Sequence, residues 1–146
     1  MSFMRTIRKA AERKARRKAK AKRIGKRPSH SKLVAKADKV FSLIVRSVGR
    51  CESGRASHAG PLQCAHLFSR RYEGTRWTRD NAACLCAGCH VYYTHRPLEW
   101  DDWMLARLGH DRYASLRHLA LTGGRQDMAA VMESIGAYSE HFREAA

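Results

Sequence analysis

Acid is what this sequence lacks most. Only 13 Asp and Glu stand against 29 Lys and Arg in 146 residues, a net charge of +16. Such an imbalance favours an anionic partner, nucleic acid before any other; a solvated basic surface or attraction to anionic lipid are the competing explanations. Long apolar runs are missing too. No window approaches the ~18 consecutive apolar residues of a transmembrane helix, so no membrane partner is expected. The basic N-terminus has no apolar segment behind it, so it does not read as a secretory signal, and a cytoplasmic location follows. The five cysteines are an odd number. Without an export signal they read as reduced thiols or metal ligands rather than a disulfide framework. Internal repeats are absent as well.

The charge that is present is unevenly spread. Residues 1–27 carry 13 basic residues and one acid, Glu12, a net +12; the other 16 basic and 12 acidic residues give residues 28–146 only +4. The run IRKAAERKARRKAKAKRIGKR is made of good helix formers, but its apolar side is alanine with Ile7 and Ile24. It can bury little and repels itself, so residues 1–30 read as a basic arm and linker, helical when phosphate neutralises them. Residues 31–146 read as one domain. Ser31 is placed to cap a core helix in which Leu33, Val34, Ala37, Val40, Phe41, Ile44, Val45 and Val48 recur at helical spacing up to Gly49. The stretch 50–60 reads as a loop. PLQCAHLF reads as a strand of about six residues, SRRYEGTRWTRDN as a polar connection, AACLC as a second strand, and AGCHVYYTH as the start of a helix. Pro97 opens a helix that Gly109 stops, and two more follow, split by Gly123 and Gly124. Trp100 and Trp103 share a helical face and, with Trp77, read as core.

The densest chemistry lies in CLCAGCHVYYTH, residues 84–95, with three cysteines and two histidines. Cys86 and Cys89 have the two-residue spacing that lets both sulfurs reach one tetrahedral zinc. Cys51 is a third candidate ligand, upstream in a loop. A second cysteine at position 54 would complete a paired knuckle, but Gly54 stands there. The fourth ligand is His58 or Cys64, with His58 favoured because Cys64 sits in mid-strand. Cys84 should share a strand face with Cys86 and reads as a small buried hydrophobe. A redox pair has the same spacing as Cys86 and Cys89 but calls for a βαβ setting, which is absent.

His66, Asn81 and His90 follow in order, with the CxxC pair running into the last. The stretch LQCAHLFSRRYEGTRWTRDNAACLCAGCH, residues 62–90, strongly resembles bacteriophage HNH endonucleases, the NinG-like recombination endonucleases being the nearest type. The resemblance spans about residues 50–105 and not the arm or the C-terminal helices. It implies an α+β, mostly helical protein with a ββα-metal core, a structural Zn2+, flanking helices and a basic arm. The implied activity is hydrolysis of DNA in a host cytoplasm with a catalytic divalent cation, Mg2+ or Mn2+. By the same resemblance His66 is the general base, Asn81 holds the hairpin loop and helps orient the imidazole, and His90 ligates the catalytic metal. Phosphodiester hydrolysis needs such a base and a Lewis acid, and histidine titrates in the right range. Arg70, Arg71, Arg76 and Arg79 are placed to meet phosphates.

One departure stands out. Many HNH enzymes have a metal-binding Asp just before the base, where this chain has Ala65. His95 is a candidate second ligand, with Asp80 and Glu73 behind it. His90 can also be read as a zinc ligand, and the arginine run as a solvated loop. A non-catalytic, zinc-stabilised nucleic-acid-binding protein is therefore the alternative function, and an RNA-binding protein with a ribosomal-type tail rests on the arm alone.

Overall fold

In the computed structural model, residues 8–9, 12–16 and 28–144 are described, side chains to residue 137. The described parts of the arm are helical; the rest of it lies outside the described residues. The fold is α+β and mostly helical. Helix α1 (His30–Arg46) leads to strand β1 (Leu62–His66), then to two 3-10 turns (Glu73–Thr75 and Arg79–Asn81) and strand β2 (Ala82–Cys86). Four helices follow: α2 (Ala87–Thr94), α3 (Pro97–Leu108), α4 (His110–Thr122) and α5 (Met128–Glu144). The strands form an antiparallel pair in which Cys64 faces Cys84 and His66 faces Ala82.

This small sheet is covered on both sides, and every residue of β2 is buried. Alternate side chains of a strand point to opposite faces, so β2 feeds two cores. Ala82 and Cys84 join Ala37, Phe41, Ile44 and Val45 of α1, Trp77, and Met128, Val131 and Ile135 of α5. Ala83 and Leu85 join Ala65, Cys89, Tyr93, Trp100, Met104, Leu108 and Leu116. Cys86 belongs to the second core, not with Cys84 in the first as strand alternation suggests, because it is already the N-cap of α2. The three tryptophans pack as expected, with Trp100 and Trp103 stacked at 5.1 Å between ring centres.

The ends of α1 differ from expectation. Ser29, extended after Pro28, is the N-cap in place of Ser31, and the two hydroxyls bond each other at 3.0 Å rather than capping the backbone. The helix stops at Arg46, and Gly49 turns the chain with φ +73°, a conformation that suits glycine. Farther on, the polar connection leans on the end of α4: a Cβ on Gly74 would stand 2.8 Å from the Cα of Gly123, so this close approach needs two glycines.

Candidate metal centre and the histidine cleft

The loop after α1 is pinned to the second strand. Glu52 N–H donates to the Cys84 carbonyl (2.8 Å), and its carboxylate accepts from Cys84 N–H (2.6 Å). Farther along, Gly88 N–H donates to the Ala59 carbonyl and Ala87 N–H to that of Pro61, each at 2.9 Å. These bonds carry Cys51 and His58 to the first turn of α2, where Cys86 and Cys89 wait. The ligand atoms of Cys51, His58, Cys86 and Cys89 lie within 4.8 Å of one another, so these four residues could hold a metal ion. His58 presents Nδ1, 3.5 Å from Cys89 Sγ and 3.8 Å from Cys86 Sγ. The Ser53 hydroxyl sits between Cys51 Sγ (3.3 Å) and Cys89 Sγ (3.2 Å). Gly54, which stands where a paired knuckle would have its fourth cysteine, has φ +67°, a conformation in which a cysteine would be strained. Cys64 lies elsewhere, on the first-core side of β1. Burial raises the Cys86 thiol, but N–H groups of Cys89 and Ala59 aimed at its sulfur, and the thiols of Cys89 and Cys51, outweigh this and bring it down to about 7. A thiol so placed is readily ionised, as metal binding requires.

A second grouping lies at the edge of β1. A cleft of about 300 Å³ is lined by Asp38, Phe41, Cys64, His66, Arg70 and His90, with Ser42 and Ser69 beside them. It brings together the two histidines that lie 24 positions apart in the chain. Each ring is held by one nitrogen. His66 Nε2 donates to the Arg76 carbonyl at 3.0 Å, since a carbonyl can only accept, so in the neutral ring Nδ1 carries the lone pair. His90 Nδ1 lies 2.6 Å from Gln63 Oε1, an acceptor, which leaves Nε2 free. Burial lowers the pKa of both rings, that of His66 against the opposing effect of the Arg76 carbonyl.

Asn81 is fully buried. Its Oδ1 accepts from Phe68 N–H (2.7 Å), and its Nδ2 donates to the carbonyls of Phe68 and Thr75 (both 3.0 Å). It therefore ties the connection to itself; the imidazole of His66 is oriented by the Arg76 carbonyl, not by Asn81 directly.

The four arginines divide. Arg70 lines the cleft and is 62% exposed, and exposed Arg71 donates to the Tyr72 hydroxyl at 2.8 Å. Arg76 grips Asp38 with two nitrogens (2.9 and 2.6 Å), and Arg79 pairs with Glu52 (3.5 Å) and donates to the Ala82 carbonyl (2.6 Å). Arg76 and Arg79 are thus committed to the protein's own acceptors rather than set out for phosphates. His95 is exposed at the end of α2 and Glu73 half-buried, both outside the cleft lining, and Asp80 is engaged by Arg112. Ala65 is buried in the second core, so the position before His66 does not face the cleft. Asp38 escapes a reading of the sequence: it sits on the helix between Lys36 and Lys39, with nothing local to mark it. Its carboxyl is raised by burial but lowered further by Arg76, Trp77 Nε1–H and Arg70, so it stays ionised.

No family model, curated protein or solved structure matches the chain. No helix among the described residues is long and apolar enough to cross a membrane.

Proposed function

We propose that the chain is a metal-dependent HNH-type endonuclease of the bacteriophage kind, hydrolysing DNA phosphodiester bonds. The observation that carries this is the cleft: His66 and His90 line it together with Arg70, each ring fixed through one nitrogen, with only the Cys64 thiol, 3.9 Å away, beside the other nitrogen of His66. His66 Nδ1 would take the proton from the attacking water, a role that needs a neutral imidazole, and its lowered pKa keeps it neutral. Arg70 would hold a phosphate oxygen at the mouth of the cleft. His90 Nε2 would hold the catalytic cation. Hard cations such as Mg2+ keep several waters and prefer oxygen ligands to imidazole, so the phosphate oxygens of the DNA would have to supply the ligands that His90 does not. When bound, that cation would stabilise charge on the phosphoryl and leaving oxygens.

The Cys51, His58, Cys86 and Cys89 set would hold a structural zinc. Tetrahedral zinc with bonds of about 2.3 Å to sulfur and about 2.05 Å to nitrogen sets a nitrogen and a sulfur ligand roughly 3.6 Å apart, close to the spacings His58 Nδ1 makes to Cys86 and Cys89. Three thiolates and one imidazole with no open position are a structural set, not a catalytic one. The DNA would be drawn in by the +16 charge, most of it on the arm.

A non-catalytic DNA-binding role is favoured by one observation: the cleft's carboxylate, Asp38, is occupied by Arg76 and Trp77, and position 65 points into the core. Incubating the protein with supercoiled plasmid and Mg2+ or Mn2+ separates the two roles. Nicking that EDTA abolishes is expected of the nuclease; binding without nicking on duplex, single-stranded or branched DNA marks the binding protein.

A further inference from the structure

Five cysteines are present, and the metal cluster accounts for three of them. The other two, Cys64 and Cys84, are directly opposite each other in the sheet. The hydrogen bonds show which kind of cross-strand pair they form. Leu67 N–H donates to the Asn81 carbonyl and Ala87 N–H to the Pro61 carbonyl, so in this register the ladder bonds fall at odd-numbered residues of both strands. Cys84 turns its own N–H and carbonyl the other way, to Glu52. Cys64 and Cys84 are therefore a non-hydrogen-bonded pair. In such pairs the Cα atoms stand ~4.5 Å apart and the side chains project from one face at their closest approach. That separation is inside the ~4.4–6.8 Å that a disulfide spans. Both side chains pack at the first core, which puts them on the same face.

Their surroundings differ. Cys64 lines the histidine cleft, its Sγ 3.9 Å from His66 Nδ1, while Cys84 has no exposure. One thiol is open to a small reagent and beside a proton acceptor; the other is reachable only from its partner. We propose that Cys64 and Cys84 are a redox pair, closed into a cross-strand disulfide by a small-molecule disulfide that enters the cleft.

The step balances as two exchanges. The Cys64 proton passes to His66 Nδ1, and the thiolate attacks one sulfur of the reagent, breaking its S–S bond and releasing one thiolate. Cys84, losing its proton to that thiolate, then attacks Cys64 Sγ and displaces the second half of the reagent, which leaves with the proton held on His66. Two protein thiols are oxidised and one small disulfide is reduced to two thiols. Burial holds the Cys64 thiol up at about 11, so the exchange is slow at neutral pH without the imidazole and quickens in alkali. The new bond draws Cys64 Sγ from His66 toward Cys84 and alters one wall of the cleft.

The test uses the full chain as purified, treated with oxidised glutathione, then mapped by mass spectrometry alongside its metal content. The expected result is a peptide pair linked through Cys64 and Cys84, two hydrogens lighter, with metal unchanged. Cys84→Ser should trap glutathione on Cys64, and Cys64→Ser should leave Cys84 unmodified. A wild-type protein in which both thiols stay free, in which glutathione remains on Cys64, or in which Cys51, Cys86 and Cys89 oxidise instead with loss of metal, would overturn the proposal. Mapping does not depend on DNA cleavage, so it stands or falls apart from the nuclease assignment.

Discussion

Asn81 and His66 carry the residue-scale consequences. Every polar atom of the Asn81 amide is used, inside the protein and away from water. Asn81→Ala would take their partner from Phe68 N–H and the Phe68 carbonyl, while the Thr75 carbonyl keeps Thr78 N–H, at about 1–3 kcal/mol for each buried group that cannot find water. A loss of roughly 3 kcal/mol, seen as a lower denaturant midpoint, is expected; a change below about 0.5 kcal/mol, the size of an ordinary surface substitution, would mean the loop does not depend on it. For His66, burial disfavours the imidazolium, so its folded pKa lies below the ordinary 6.5. The free base is then dominant at and above that pH, and as pH drops the rate of nicking should fall later than an ordinary histidine would make it fall. Stability follows the same sign: the unfolded chain takes up this proton first, so the contribution is complete above 6.5 and is lost as pH falls through the folded value. A rate already falling between about pH 8 and 7, above the range of an ordinary histidine, would contradict this. At this scale the sequence named the residues better than their partners. The order of His66, Asn81 and His90 and the adjoining CxxC pair single these residues out in the sequence; the fold brings the two histidines to one cleft and buries Asn81 in the connection. Asp38 was not legible, because its role comes from Arg76 and Trp77, far along the chain. Nor was the commitment of Arg76 and Arg79, since spacing alone does not show which arginines meet a carboxylate.

At the scale of elements, α1 was legible from its apolar spacing, the later helices from Pro97 and the glycines that separate them, and the strands from their composition and the turns around them. The boundary errors were local: Ser29 takes the N-cap position of α1 because it is the extended residue after Pro28, and Cys86 leaves the strand face because a helix begins on it. Seen from sequence, the fourth ligand stood open between His58 and Cys64. The register separates the two, putting Cys64 opposite Cys84, while His58 lies with Cys51, Cys86 and Cys89 in the cluster that could hold a metal ion. The loop from Cys51 to Pro61 has little apolar material of its own, so a metal bound by the cluster would hold it. Chelation, or Cys86→Ser, is expected to lower stability by several kcal/mol, part of the ~10–16 kcal/mol that structural zinc contributes in small peptides. Hydrogen exchange should quicken first at Glu52, Ala87 and Gly88, whose N–H groups tie this loop to the sheet and α2. A protein purified without near-stoichiometric metal, or unchanged by Cys86→Ser, would contradict the assignment.

For the whole molecule, charge and chemistry are divided. The arm holds +12 of the +16, while the cleft and the metal cluster lie in the rest of the chain. Deleting residues 1–27 should weaken DNA binding and flatten its salt dependence by about 0.9 in log–log slope for each phosphate the arm no longer neutralises. Binding measured across a salt series checks this, and an unchanged slope would assign the arm to another partner. The central claim is that His66 and His90 act together on DNA, one as base and one as metal ligand, and a base removed should cost rate and little affinity. The most direct test is the metal-dependent nicking rate of wild type, His66→Ala and His90→Ala on the same plasmid, with DNA affinity measured in parallel. The expected result is nicking by wild type, a loss of about 10²–10⁴-fold in His66→Ala at nearly unchanged affinity, and a loss in His90→Ala that excess Mn2+ partly restores. Nicking by His66→Ala at the wild-type rate would place the base elsewhere and contradict the account.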